Sequence, residues 1–136
     1  MIFITRRETF SAAHKLARKD WDEKKNQEVF GKCSNPNWHG HNYIIWVTVK
    51  GEVNSETGFV TNLTDVSRII KEYILDKVDH KNLDEDVDFM KGKLSSTETL
   101  AVEIWNQIVK PMDMLGCKLH CVKIQETEKN CVEYFG

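Results

Sequence analysis

The sequence predicts an α+β domain, an antiparallel sheet with two helices on one of its faces, and three observations predict it. Segments with a two-residue apolar period sit at both ends of the chain, two segments with a helical apolar period lie between them, and turn-forming clusters separate these blocks. Residues 2 to 14 alternate as a strand, with Ile2, Ile4, Phe10 and Ala12 on one side and His14 at its end. Residues 15 to 38 lose strand periodicity, turn polar and finish on Ser34-Asn35-Pro36-Asn37; a long functional loop is expected there, with a short helix near Asp22 to Phe30. From His39 to Val53 the run Tyr43, Ile44, Ile45, Trp46, Val47, Thr48, Val49 is β-branched or aromatic, a strand. Asn54 to Gly58 reverses the chain, and Phe59 to Asn62 is expected to return as a partner strand.

Thr64 is expected to cap a helix whose apolar positions Val66, Ile69, Ile70, Tyr73, Ile74 and Val78 follow helical spacing. A second helix is expected from Ser95, where Ser95-x-x-Glu98 has the form of a capping box; it carries Leu100, Ala101, Ile104, Trp105 and Ile108 and stops before Pro111. Residues 117 to 127 and 131 to 135, joined by Glu128-Lys129-Asn130, read as a hairpin.

A chain of 136 residues, 40% hydrophobic and 29% charged, predicts one domain over residues 1–136 with one core. The N-terminus lacks the apolar stretch of a secretory signal and no run reaches transmembrane length, so a cytoplasmic protein is expected. A net charge of -2 argues against a nucleic-acid binder, which needs a basic face. Residues 1 to 32 nevertheless carry eight basic and five acidic side chains, where a small polyanion can dock unless they only form a solvated loop. In such a chain Cys33, Cys117, Cys121 and Cys131 are expected as reduced thiols, with Cys117 and Cys121 packing the interior.

The sharpest chemical feature is His39-Gly40-His41 at the start of a strand. Side chains at i and i+2 share a face about 6.6 Å apart along the strand, so both imidazoles can converge on one ion. His14, closing the neighbouring candidate strand, supplies a third, and three imidazoles make a catalytic zinc set with an open fourth position. Two surface histidines are the plain alternative. Cys33 lies six residues before His39 and reads either as a further zinc ligand or as a thiolate base or nucleophile. Asp79-His80 is a candidate carboxylate-oriented imidazole or simply a helix C-terminus favoured by the dipole. Glu126, in phase with Val122 and Ile124, can point inward and accept two parallel N–H donors from a guanine- or pterin-like ring edge, or lie exposed beside the hairpin turn. Glu98 has its capping role as the alternative.

Taken together, Phe10-Ser11-Ala12-Ala13-His14, Gly31-Lys32-Cys33, Asn35-Pro36-Asn37, His39-Gly40-His41-Asn42-Tyr43, Asn62-Leu63-Thr64-Asp65, Asp79-His80-Lys81-Asn82-Leu83, Ser96-Thr97-Glu98 and Glu126-Thr127 resemble the animal-type 6-pyruvoyltetrahydropterin synthase family over nearly the whole chain. The resemblance implies the tunnelling fold (T-fold): an antiparallel four-stranded sheet with two helices on one face, three subunits closing their strands into a barrel and two trimers stacking into a homohexamer with active sites between subunits. It implies that His14, His39 and His41 bind Zn2+, that Cys33, Asp79 and His80 form the proton-transfer triad, and that Glu126 anchors the pterin, with Thr97 and Glu98 lining its pocket. The implied reaction is a lyase reaction of tetrahydrobiopterin biosynthesis, converting 7,8-dihydroneopterin triphosphate to 6-pyruvoyl-tetrahydropterin with loss of triphosphate. Neither nucleic acid nor membrane is an expected partner. Trp38 stands where the animal enzymes often have glycine, which bears on substrate range. The related 6-carboxytetrahydropterin synthases typically place the cysteine four residues before the histidine pair, not six. A non-catalytic zinc or pterin-binding scaffold is the alternative from another class; it would have no use for Cys33, Asp79 and His80.

Overall fold

Two thirteen-residue strands, β1 (Ile2–His14) and β2 (His39–Gly51), pair antiparallel along their full length, from Ile2 opposite Gly51 to His14 opposite His39. The computed structural model describes Met1–Gly136, and its other elements are arranged against this ladder. The remaining elements are α1 (Glu23–Phe30), α2 (Leu63–Ile70), α3 (Asp76–Val78), β3 (Lys81–Asn82), α4 (Thr97–Met114), β4 (Lys118–Thr127) and β5 (Asn130–Tyr134). The sheet runs β3-β1-β2-β4-β5 and is open.

Alternation puts Phe10, Ala12 and His14 of β1, Tyr43, Ile45, Val47 and Val49 of β2, and Val122 and Ile124 of β4 into the interior. Val66, Ile69, Ile70, Ile74 and Val78 from the first helical stretch and Leu100, Ala101, Ile104, Ile108 and Met112 from α4 cover that face, and every buried apolar residue except Cys121 belongs to one cluster of 23. The two expected helices therefore lie on one face, as the i, i+3, i+4 spacing implied. The long loop carries α1 where a short helix was expected; Asp22 caps it by accepting from Lys25 N–H at 2.7 Å. All four cysteines are free thiols, with Cys117 and Cys121 buried.

Several expectations need correction. The sheet has five strands, not four, and it is mixed: the two-residue β3 lies parallel to the end of β1, with Lys81 beside Ala12 and Asn82 beside Ala13. Phe59–Asn62 is not a strand. Asn54 carboxamide and backbone groups close a tight loop there, and Phe59 is left exposed. Asn62, not Thr64, caps the first helix, accepting from Thr64 N–H at 2.9 Å. That helix widens into a π-helical turn at Lys71–Leu75 before α3, so its apolar stripe extends to Val78 through an irregular segment. Ser96, not Ser95, caps α4, and α4 continues through Pro111 to Met114 because Met112 is buried beyond the proline. No helix is long and apolar enough to cross a membrane.

Ile104 is fully buried between α4 and the sheet. Ile104→Ala should lower unfolding stability by about 2–5 kcal/mol, read as a fall in the urea midpoint at fixed protein concentration, while exposed Lys110→Ala stays within about 0.5 kcal/mol.

Candidate metal centre

The end of the β1–β2 ladder builds the site. His14 and His39 are cross-strand partners, and His41 lies two residues further along β2 on the same face. Their ring centroids are 4.6 Å (His14–His39), 5.1 Å (His14–His41) and 4.9 Å (His39–His41) apart. One ring nitrogen from each lies within 4.8 Å of the others, so the three can hold one metal ion.

Hydrogen bonding fits that role. His14 is 1% exposed, and its Nδ1 donates to the Ser95 carbonyl at 2.7 Å. A carbonyl only accepts, so the proton sits on Nδ1 and the Nε2 lone pair is free. His14 Nε2, His39 Nδ1 and His41 Nε2 are all buried without a hydrogen-bond partner. Three unpartnered buried imidazole nitrogens meeting at one point need an explanation, and a shared cation supplies it. Burial pushes the pKa of His39 down, helped by neighbouring His14, and burial also lowers that of His41 against the opposing pull of Glu126. Both shifts favour the neutral imidazole, which is the ligating form.

Glu126 follows Val122 and Ile124 on the inward face of β4. Its two oxygens lie 3.9 Å from His14 Nε2 and 3.6 Å from His41 Nε2, and the Thr97 hydroxyl at the start of α4 donates to Oε2 at 2.5 Å. His14, Cys33, Thr97, Glu98 and Glu126 line one cavity of about 360 Å³, to which Asn130, Cys131 and Val132 of β5 also contribute. Cys33 arrives there on a 3₁₀ turn, Gly31–Ser34, and its carbonyl accepts from Leu16 N–H at 2.8 Å, fastening the loop beside the end of β1.

Asp79 and His80 lie elsewhere. Asp79 Oδ1 accepts from Ser11 N–H at 2.9 Å and lies 3.0 Å from His80 Nδ1; the Ser11 N–H bond is the main cause holding its carboxyl below the ordinary range, and His80 adds to it. His80 has φ +59° and its N–H donates to Ser11 carbonyl at 2.6 Å. Its ring is 83% exposed and borders a different cavity of about 450 Å³, shared with Ser11, Ala13, Gly40 and Asn42 and also with Ala12 and the candidate metal ligand His41. Within one chain, then, the structure brings the histidines, Cys33, Thr97, Glu98 and Glu126 together but leaves the Asp79–His80 pair outside their cavity.

Sequence reasoning missed three contributors. The Ser95 carbonyl is backbone and has no residue-level signal. Asp84, whose Oδ2 accepts from Lys15 N–H at 2.8 Å and from Trp38 Nε1–H at 3.0 Å, ties together the residues next to His14 and His39, and one more aspartate in an acidic stretch does not stand out. Tyr43 is fully buried with an unpartnered hydroxyl and a pKa raised by burial; its position two residues after His41 on the same face was a usable signal.

Three histidines able to hold one metal ion at the end of a β-ladder, with an inward carboxylate and a cysteine beside them, make this an α+β domain with a candidate metal site. The comparisons narrow it. The family model described as 6-pyruvoyl tetrahydropterin synthase matches residues 3–136. The chain is 45% identical over 137 residues to the 6-pyruvoyl tetrahydrobiopterin synthase of Drosophila melanogaster, covering 98% of this chain and 79% of the relative. It is also 45% identical over 133 residues to that of Homo sapiens, covering 98% and 90%. Its fold matches the solved 6-pyruvoyl tetrahydropterin synthase of Caenorhabditis elegans with a TM-score of 0.92 at 38% identity, over 99% of this chain and 95% of that one. This chain belongs to the 6-pyruvoyl tetrahydropterin synthase family.

Divalent metal added to chelator-treated protein should raise the thermal unfolding midpoint, since a ligand bound only by the folded chain stabilises it by mass action. In His14→Ala or His41→Ala the added metal should produce no rise and the dialysed protein should retain no ion, read by differential scanning and elemental analysis.

Proposed function

We propose that this chain, as one domain over residues 1–136, is a zinc-dependent lyase that converts 7,8-dihydroneopterin triphosphate to 6-pyruvoyl-tetrahydropterin with elimination of triphosphate, in tetrahydrobiopterin biosynthesis. The observation that carries the reading is the convergence of His14, Cys33, Thr97 and Glu126 on one cavity, in a chain 45% identical to relatives named for that activity. Four free thiols agree with a reducing compartment, the cytosol.

The residues divide the work. His14, His39 and His41 would hold Zn2+, which would supply Lewis acidity toward a side-chain hydroxyl of the substrate and the adjacent C–H. Glu126, its Oε2 already accepting from the Thr97 hydroxyl, is the group that accepts the parallel N–H donors of the pterin edge and sets the ring's orientation. Glu98 borders the same cavity at the start of α4. Cys33 takes the side-chain proton as thiolate. His80, held at Nδ1 by Asp79, relays a proton at Nε2. Proton transfers from the side chain to the ring move oxidation state between them, and expulsion of triphosphate needs no external oxidant.

A relay that lies outside the cavity of its own chain works if a second copy supplies it. The reading therefore includes a homohexamer, a dimer of trimers with strands closing into barrels, in which Asp79 and His80 serve the Cys33 of a neighbour. Closure also removes the free edges at β3 and β5.

Zinc-loaded protein should release triphosphate from 7,8-dihydroneopterin triphosphate, and Cys33→Ala should keep its zinc while losing about 10²–10⁴-fold in turnover. Zinc and pterin binding without release would defeat the lyase assignment in favour of a binding scaffold. Cys33→Ala and His80→Ala, each inactive alone, should regain a measurable fraction of wild-type activity when dissociated and reassembled together; no recovery in verified mixed oligomers would place both groups in one subunit's site.

A further inference from the structure

A second cavity, of about 610 Å³, opens next to the metal centre between the chain following His14 and the segment Gly92–Leu94. Lys15, Arg18, Lys19 and Lys93 supply four cations to its lining, against the carboxylates of Asp20, Asp84 and Glu85, and Trp38 forms part of its wall. The ion pairs of the chain take Arg18 with Asp20 and Lys93 with Glu103, and leave Lys15 and Lys19 without a carboxylate partner.

Lys15 is held in an unusual way. Its ammonium lies 4.3 Å from the centre of the Trp38 ring. The indole N–H is fixed by Asp84 Oδ2, which also accepts from the Lys15 backbone N–H. Trp38 itself has φ +59°, a left-handed conformation that a bulky residue rarely adopts and that persists only where surrounding contacts enforce it. The fold thus keeps a strained tryptophan one residue before His39 to hold a lysine one residue after His14. A cation over a ring face keeps its full charge and its donors, whereas one paired with a carboxylate is neutralised.

The ladder register sets an order. Ile44 is opposite Gln125, which brings Glu126 beside Tyr43; His41 is opposite Ala12; His39 is opposite His14; and Trp38 and Lys15 come next. Along that ladder Lys15 and Trp38 lie one residue beyond the His14–His39 pair, on the side away from Tyr43 and Gln125. We propose that this second cavity is the subsite for the triphosphate arm of the substrate, with Lys15 its principal cation and Trp38 and Asp84 the residues that position it. The assignment rests on the pterin triphosphate reading above and goes beyond it by naming the phosphate contacts.

The test compares neopterin with neopterin triphosphate, both fully oxidised and unreactive, titrated into zinc-loaded protein and followed by pterin fluorescence. Wild type should bind the triphosphate form more tightly. In Lys15→Met that preference should fall about tenfold or more, as expected for loss of a charge-assisted contact, while neopterin affinity and zinc content hold; Lys15→Arg should restore it. Trp38→Gly should weaken the preference with the ammonium still present, and Lys110→Met on the far part of α4 should leave it unchanged. An unaltered preference in Lys15→Met overturns the subsite. If wild type binds neither pterin, the lyase reading fails, and inorganic triphosphate titrated into the same preparations decides the subsite separately: Lys15-dependent binding keeps it, and Lys15-independent binding or none removes it.

Discussion

The antiparallel pairing of β1 with β2 is the constraint on which the rest of the molecule depends. It sets His14 opposite His39 and leaves His41 on the same inward face. A slip of one residue would turn every side chain of one strand to the other face, separating the imidazoles and exposing the core together. The register is held where the site needs it. Phe10 stacks on Tyr43 at 4.9 Å, and the short β3 clamps the end of β1 through His80 N–H to Ser11 carbonyl and Leu83 N–H to Ala13 carbonyl. The candidate metal site is thus built on the backbone ladder rather than on a loop, which is the precision that convergent ligands require.

The same ladder separates the chemistry into two halves. Residues in phase with His14 and His41 face the helices and share their interior with Glu126, Thr97 and Cys33; residues out of phase, Ser11, Ala13, Gly40 and Asn42, face outward beside His80. His41 and Ala12 also border the cavity beside His80, while His80 does not border the one that holds Cys33. The placing of His80 and Cys33 in different cavities is the reason a second copy enters the proposed mechanism. Phe3 and Phe135 flank His120 and are left exposed by the single chain.

The site carries polar groups that the fold alone leaves unsatisfied. Nitrogens of His14, His39 and His41 and the Tyr43 hydroxyl are buried without partners, and Trp38 and His80 occupy left-handed backbone. Each departs from what stability would select, and each lies at the candidate metal centre, next to it in sequence, or, for His80, in the cavity that His41 also borders. Concentration of such departures at one end of one ladder is the pattern expected of a site shaped by ligand binding, with the cost offset by the close-packed cluster elsewhere.

Much of this was legible from residue order, because local periodicities report local geometry. The alternation in residues 2 to 14 and the β-branched run after His39 showed the two long strands; the spacing of Val66 to Val78 and of Leu100 to Ile108 showed the helical faces; H-x-H within a strand pattern placed two ligands on one face. What misled was equally local. Phe59 to Asn62 looked like a strand but lies in a loop braced by Asn54, the caps fell on Asn62 and Ser96 one or two positions from the residues expected, and Pro111 did not end α4 because Met112 is buried past it. The residue order alone thus established the strands, the helices, the candidate ligands and the family resemblance. Only the folded arrangement decided that His14 meets His39 and His41, that Glu126 turns inward, that Asp84 joins Trp38 to Lys15, and that His80 borders a different cavity from Cys33. These are contacts between residues tens of positions apart. They are set by strand register and by which face each strand presents, and neither quantity is contained in any short window of sequence.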